Sequence, residues 1–189
     1  SDGDDIINGD NSGNILDGGA GNDQVIGNGG DDTISGGTGN DILGGGTGND
    51  EIVDGMGNNT LDGGSGLDKL VTFSGINSQS GGGGSDLVVG GIQSDSLNGG
   101  AGNDIILGGS GGTNTAGNGG DTITGGTGND FIAGDHAYVT RDATEQVTRF
   151  ESVASTVSAT IDGGDDLIDQ TESEGADIIL GGFGSDIIN

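Results

Sequence analysis

The stretch that decides the fold is Gly36-Gly37-Thr38-Gly39-Asn40-Asp41-Ile42-Leu43-Gly44, and Gly45-Gly46-Thr47-Gly48-Asn49-Asp50-Glu51-Ile52-Val53 follows it at once. Both obey one nine-residue pattern, G-G-x-G-x-D-x-U-x, in which U is a bulky aliphatic residue. Twelve consecutive blocks of this length fill residues 9–116, and further clear copies begin at Gly125 and Gly181. A repeat at so short a period predicts a solenoid, because each unit can bury its side chains only against its neighbours.

The first six positions of each block have the properties of a turn that binds a hard cation. Glycine tolerates positive φ and lets the backbone approach a ligand closely, so the Gly-Gly-x-Gly turn can direct several carbonyl oxygens to one point. The aspartate at position 6 adds an anionic oxygen, and calcium takes six to eight such oxygen ligands. The chain has no Cys and only one His, His136. The chain therefore lacks the Cys and His ligands that zinc and other borderline or soft metals prefer.

The last three positions, x-U-x, predict a short strand with one inward side chain. One aliphatic residue in nine cannot make a globular core, but stacked strands that face each other across a flat solenoid can make a thin seam. The predicted inward column consists of Leu16, Val25, Ile34, Leu43, Ile52, Leu61, Leu70, Val88, Leu97, Ile106, Ile123, Ile132, Ile168, Ile179 and Ile188.

In these blocks the chain resembles the repeats-in-toxin (RTX) family, whose hemolysin-type repeats bind calcium. The resemblance covers nearly the whole chain apart from residues 134–160. It implies an all-β fold, a parallel β-roll (β-solenoid) in which two blocks make one turn and calcium ions lie between turns. It also implies that each ion is held by carbonyl oxygens of the glycine-rich turns and by the position-6 aspartates of blocks n and n+2.

On this alternation, position 6 forms two rows along the roll. One row is Asn14, Asp32, Asp50, Asp68, Asp86, Asp104 and Asp121, and the other is Asp5, Asp23, Asp41, Asn59, Asn77, Asp95, Thr113 and Asp130. The second row loses charge at three places, so we expect calcium to be held more weakly there, and the Asn59/Asn77 pair to be the vacancy. Blocks 72–80 and 108–116 also replace the aliphatic residue, with Gln79 and Thr115.

The resemblance implies roughly 8 to 14 calcium ions. The side-chain ligands expected from it are Asp5, Asp23, Asp32, Asp41, Asp50, Asp68, Asp86, Asp95, Asp104, Asp121, Asp130, Asp166, Asp177, Asp186, Asn14 and Asn59. The backbone carbonyl ligands expected from it are those of Gly19, Gly21, Asn28, Gly30, Gly37, Gly39, Gly46, Gly48, Gly64, Gly66, Gly82, Gly84, Gly91, Gly100, Gly102, Gly126 and Gly128.

Composition limits the possible partners. The net charge is −28, with only Lys69, Arg141 and Arg149 positive, which excludes nucleic acid as a partner. Such a chain repels itself, whereas about ten divalent ions would cancel roughly 20 charges. No stretch approaches the length of a membrane span, so no membrane insertion is expected. The chain begins and ends within the repeat pattern, which favours a fragment whose partners include flanking repeats of a longer array.

Residues 134–160 interrupt the β-roll expected over 1–133, and the roll is expected to continue over 161–189. The β-prone segments 136–141 and 146–150 predict a hairpin or a long loop. An insertion that packs on the roll is the favoured interpretation, and a recognition loop is the alternative. His136 is interpreted as a turn residue rather than a catalyst.

The favoured function is a calcium-binding structural module that folds after export, in a large secreted or cell-surface bacterial protein such as an adhesin. The RTX resemblance implies type I secretion and an extracellular location, where weak calcium sites of about 10⁻⁴–10⁻³ M would fill.

Two alternatives stay open. The first is the calcium-binding tail of a secreted protease, lipase or alginate epimerase, although these residues contain no H-E-x-x-H or G-x-S-x-G motif, so the module itself is not expected to be an enzyme. The second is an ice- or polysaccharide-binding module, for which the Thr-Gly-Asn-Asp copies at 38–41, 47–50 and 127–130 are too irregular to form a flat row. A surface or carbohydrate receptor is left open as a partner.

Overall fold

The computed structural model describes residues 2–109, 120–134, 137–141, 147–152, 167–169, 178–180 and 187–188. These residues form strands and turns without a helix, so none of them forms a helix that is long and apolar enough to cross a membrane. The strands are β1 Ile6–Asn8, β2 Ile15–Ala20, β3 Gln24–Gly29, β4 Thr33–Thr38, β5 Ile42–Thr47, β6 Glu51–Met56, β7 Thr60–Ser65, β8 Lys69–Ser74, β9 Ser78–Gly83, β10 Leu87–Gly91, β11 Ser96–Ala101, β12 Ile105–Gly109, β13 Thr122–Thr127, β14 Phe131–Ala133, β15 Ala137–Arg141, β16 Val147–Ser152, β17 Leu167–Asp169, β18 Ile178–Leu180 and β19 Ile187–Ile188.

Successive strands of the repeat alternate between two parallel sheets. One sheet has the order β1-β3-β5-β7-β9-β11-β13-β17-β19, and the other has the order β18-β14-β12-β10-β8-β6-β4-β2. In both, a residue pairs with the residue 18 positions later, as in Leu43↔Leu61 and Ile34↔Ile52. Two nine-residue blocks therefore make one turn, and the parallel β-roll expected from the sequence is confirmed.

The strands are longer than the x-U-x pattern predicts. A typical strand, β5, runs from Ile42 through Gly44 and on to Thr47, so it includes the first three residues of the following block. Gly46 pairs in register with Asn28 and with Gly64. The prediction of a three-residue strand was wrong, because the Gly-Gly-x segment also joins the parallel ladder.

Most of the core is the predicted column of aliphatic side chains, and three buried residues outside that column, Ile105, Phe131 and Ala133, form a separate small cluster. The column itself falls into two clusters, and the break lies at Gln79, a buried polar residue in register with Leu61 and Leu97. The first cluster is Val25, Ile34, Leu43, Ile52, Leu61 and Leu70, and the second is Val88, Leu97, Ile106, Ile123 and Ile132. Ile188 was also predicted to point inward but is 50% exposed, because β19 is the last strand of its sheet.

The register changes once within the well-paired part of the roll. Ser96 of β11 pairs with Thr122 of β13, and Ile105 of β12 pairs with Phe131 of β14, so the offset rises from 18 to 26 residues. Blocks 108–116 and 117–124 were expected to take one place each in the alternation of sides, and this prediction was wrong, because β11 pairs directly with β13 and β12 directly with β14. Thr113 and Thr115 lie outside the described residues.

Beyond β14, two strands leave the parallel pattern. Ala137–Arg141 and Val147–Ser152 pair antiparallel as a separate two-stranded sheet, with an irregularity between Thr140 and Arg141. The short strands β17, β18 and β19 then pair in parallel with the two large sheets. His136 lies outside the described residues.

Candidate metal sites

The position-6 side chains form two continuous hydrogen-bonded ladders, one on each side of the roll. At each step an oxygen of this side chain accepts the backbone N–H of the position-6 residue one turn earlier, as Asp41 Oδ1 does from Asp23 N at 2.7 Å. One ladder is Asp5, Asp23, Asp41, Asn59, Asn77, Asp95 and Asp121. The other ladder is Asn14, Asp32, Asp50, Asp68, Asp86, Asp104 and Asp130.

The ends of the two rows differ from the sequence expectation. Asp95 N donates to Asp121 Oδ1, and Asp104 N donates to Asp130 Oδ1. Pairing of Asp104 with Asp121, and placement of Thr113 between Asp95 and Asp130, were wrong. The cause is the additional segment after Gly109, which exchanges the sides of the two aspartates that follow it.

The second carboxylate oxygen of these aspartates lies inside the roll wall. The Oδ2 atoms that are buried without a hydrogen-bond partner include those of Asp23, Asp32, Asp41, Asp50, Asp68 and Asp95. A buried carboxylate oxygen without a partner is costly, so a cation bound beside these Oδ2 atoms would be strongly favoured. Burial is the largest cause that raises the pKa of Asp68 to about 6 and that of Asp95 to about 7, and it also raises the pKa of Asp50.

Except at Asp41, each of these oxygens shares its space with a backbone carbonyl from the next turn. A Cβ placed on Gly63 would lie 2.7 Å from Asp68 Oδ2 and 2.6 Å from the carbonyl oxygen of Gly81. The same arrangement recurs one turn earlier on that side, where a Cβ on Gly45 would lie 2.6 Å from the oxygen of Gly63. The sequence analysis did not predict that the carbonyls of position 1 lie beside the aspartates. The glycine found at position 1 in nearly every block was the signal that could have indicated this close approach.

The carbonyl donors predicted at positions 2 and 4 share a backbone conformation that favours glycine. All of them have positive φ, including Asn28 at 76°, the one residue in the described part that is not glycine and has positive φ. This conformation directs the carbonyls along the edge of the roll toward the next turn. A Cβ on Gly48, for example, would collide with the carbonyl oxygen of Gly30. Their role as ligands stays a prediction.

This donor set suits calcium. Carboxylate and carbonyl oxygens converge between turns, and the space is too narrow there for even a Cβ. No group of three or more His, Cys, Asp or Glu side chains that could hold a metal occurs in the described ranges, so backbone carbonyls would complete each site. The predicted ligands Asp166, Asp177 and Asp186 lie outside the described residues. A bound calcium ion would neutralise the buried carboxylates and join one turn to the next.

Block 72–80 differs from its neighbours because protein donors fill the space between turns. Asn77 Nδ2 donates to the carbonyl oxygen of Gly75 at 2.9 Å and to Asp95 Oδ1 at 3.0 Å. Thr72 replaces the position-1 glycine, and its hydroxyl donates to the carbonyl oxygen of Gly90. Gln79 Nε2 donates to Thr72 Oγ1 at 2.8 Å. These donors satisfy oxygens that a cation would otherwise approach.

A second ladder, at position 5, was not expected from the sequence. Asn40 N donates to Asn22 Oδ1 at 2.9 Å, and Asn58 N donates to Asn40 Oδ1 at 2.8 Å, on the exposed rim of the roll. The pattern treats position 5 as variable, but the recurrent Asn and Asp residues there were a usable signal. These position-5 bonds are interrupted at Leu67 and Ile76, whose side chains offer no acceptor, and they resume with Ser85, Asn103 and Asn129.

Comparison with known proteins agrees with this geometry. The family model described as RTX calcium-binding nonapeptide repeat (4 copies) matches residues 1–34, 8–43, 35–70, 80–112, 115–136 and 173–189, which together make up more than half of the chain. No curated protein matches the chain. The two rows of buried aspartates and the glycine turns beside them coincide with these matched segments. The chain belongs to the RTX family of calcium-binding nonapeptide-repeat proteins, and it binds calcium at multiple sites.

Proposed function

We propose that this chain is a calcium-conditional structural module of a large secreted or cell-surface bacterial protein of the adhesin type. In this proposal the roll spans 1–133 and 161–189, and the 134–160 excursion interrupts it. Flanking repeats extend the roll, and the module folds where calcium is abundant, after export by type I secretion. The predicted aspartates and carbonyls hold the ions.

The observation that carries this proposal is the burial of unpartnered carboxylate oxygens along both sides of the roll. Asp32, Asp50 and Asp68 are each 2% exposed, and their Oδ2 atoms have no hydrogen-bond partner. Adjacent carboxylates in one row also repel each other, and the charges of Asp86 and Asp50 contribute to the raised pKa of Asp68. The folded chain is therefore strongly disfavoured at neutral pH until cations bind.

The hydrophobic seam is too thin to overcome this penalty. It supplies one buried aliphatic residue per block, while ordering each residue of the backbone costs about 1–2 kcal/mol. Calcium that binds only the folded state adds RT ln(1+[L]/Kd) per site, and many sites act together. Folding should accordingly be cooperative in calcium.

The test is a calcium titration of the purified chain, followed by circular dichroism and small-angle scattering. We expect an expanded coil in excess chelator and a compact β-rich form in calcium, with a midpoint of about 10⁻⁴–10⁻³ M. A chain that stays folded in chelator would overturn calcium-conditional folding. A sub-micromolar midpoint would overturn folding after export, because the chain would then already fold at intracellular calcium levels.

A further inference from the structure

Asp54 is a buried carboxylate at a block position that is otherwise built for glycine. It is the first residue of block 54–62, and the first residues of the two preceding blocks are Gly36 and Gly45. Its side chain is 1% exposed, so the substitution places a full carboxyl group inside the wall of the roll. The sequence pattern gives no role to this residue.

The Asp54 carboxylate enters the space beside Asp41. Its Oδ1 accepts the N–H of Gly37 at 3.1 Å and that of Gly55 at 2.6 Å, and these bonds fix the orientation of the group. Its Oδ2 is buried and has no hydrogen-bond partner. A Cβ placed on Gly36 would lie 2.7 Å from Asp41 Oδ2 and 2.8 Å from Asp54 Cγ, so both carboxylates reach one point.

Two carboxylates that converge in a buried space need a shared positive charge. The Oδ2 atoms of Asp41 and Asp54 are both buried without a hydrogen-bond partner, so their negative charges repel each other. A divalent cation bound between them relieves this repulsion and uses both oxygens.

The same block has lost its position-6 carboxylate. Asn59 occupies that position, and its Oδ1 still accepts the N–H of Asp41 at 2.9 Å, so the ladder is preserved without the charge. We propose that Asp54 is an anionic calcium ligand that restores, from position 1, the carboxylate missing at Asn59, so that the ion beside Asp41 still meets two carboxylates. This inference rests on calcium binding by the roll and adds to it a ligand outside the repeat pattern.

Block 72–80 provides the contrast. It also lacks the position-1 glycine and the position-6 aspartate, but Thr72 and Asn77 bring donors that satisfy Gly90 O, Gly75 O and Asp95 Oδ1. Asp54 brings an unpartnered acceptor instead. Both blocks therefore depart from the pattern at the same two positions, with different results. In block 72–80 the space between turns is closed by protein hydrogen bonds, whereas in block 54–62 it still requires a cation.

The experiment counts calcium ions bound per folded chain by native mass spectrometry and measures their affinities by competition with a chromophoric chelator. Asp54→Asn keeps the shape and the Oδ1 hydrogen bonds but removes the charge. Asp62→Asn makes the same chemical change at an exposed residue of the same block. The double variant Asp54→Gly with Asn59→Asp returns both positions to the repeat pattern.

We expect Asp54→Asn to lose one ion, or to bind it at least about tenfold more weakly, while Asp62→Asn keeps the full count. Asp54→Gly alone should also lose that ion, and addition of Asn59→Asp should recover it. An unchanged count and affinity in Asp54→Asn, or an equal loss in Asp62→Asn, would overturn the role of Asp54. Calcium would still bind elsewhere in that case, whereas a wild-type chain that binds no calcium would overturn the function itself.

Discussion

The glycine at position 4 of block 45–53, Gly48, allows a sharp test of the structure, because a nearby glycine provides a matched control. Gly48 has φ +131°, and a Cβ added there would lie 2.5 Å from the carbonyl carbon of Gly30 and closer still to its oxygen. Gly44, four residues earlier, has no heavy atom within 4 Å of the corresponding point. Gly48→Ala and Gly44→Ala are thus the same chemical change with opposite expected effects.

The magnitude for Gly48→Ala has two parts. A residue other than glycine at such a φ costs about 1–3 kcal/mol. In addition, the turn at Gly30 must move away from the new Cβ, which displaces a carbonyl that we expect to bind calcium. The total destabilisation should be about 3 kcal/mol or more. Gly44→Ala should instead stabilise the roll by about 0.4–1 kcal/mol, because it reduces the freedom of the unfolded chain.

The measurement is urea unfolding of both variants at saturating calcium, together with the calcium midpoint for folding of each. Gly48→Ala should lower the urea midpoint and raise the calcium midpoint, and Gly44→Ala should leave the calcium midpoint unchanged or lower it. Equal midpoints for the two variants would refute the close approach of successive turns described above.

Three further predictions follow from the buried polar groups. Asp68→Asn keeps the Oδ1 ladder bond but removes a charge from the uninterrupted row of aspartates. The calcium midpoint for folding should therefore rise by more than it does in the exposed control Asp62→Asn. Equal shifts in the two variants would contradict a calcium-binding role for the row. Gln79→Leu should join the two core clusters and raise the urea midpoint in calcium, since a buried Oε1 without a partner is removed, and a lower midpoint would contradict this. In chelator, ionisation of Asp95 (pKa about 7) and Asp68 (pKa about 6), raised from 3.8, disfavours the folded chain as pH rises above about 4. Circular dichroism in chelator should therefore show more β-structure at pH 5 than at pH 8, and the reverse trend would show that these carboxylates are not buried.

Much of the fold could be predicted because each block carries its own determinants. The aliphatic residue at position 8, such as Leu43 or Ile52, determines which side faces the core, and the nine-residue period determines the two-block turn. The limits of the strands could not be predicted in this way. Residues such as Gly45 and Gly46 have no strand propensity of their own, and they join the parallel ladder only because the neighbouring turns offer hydrogen-bond partners.

The register error after Gly109 has a compositional cause. Residues 110–119 are rich in Gly, Asn and Thr, as the repeat turns are, so composition does not separate an additional segment from a block. The warning was Thr115, which stands where an aliphatic residue should close the core. Asp54 was missed for a different reason. The repeat pattern shows only that Asp54 replaces the usual glycine at position 1. It does not show where the carboxylate points, because that direction is set by hydrogen bonds from the N–H groups of Gly37 and Gly55.

The structure also separates two roles that the position-6 residue combines. Its Oδ1 joins consecutive turns by a hydrogen bond, and Asn59 performs this role as Asp41 does, with bonds of 2.9 Å and 2.7 Å. The second branch of the side chain faces the space between turns, where only a carboxylate contributes charge. An Asp to Asn change therefore removes a cation's ligand and leaves the turn-to-turn spacing intact. If the row that contains Asn59 and Asn77 holds calcium less regularly than the other row, as predicted, its ladder of Oδ1 hydrogen bonds is still preserved. The carboxylate proposed to come from Asp54 would replace the lost charge without any change in that ladder.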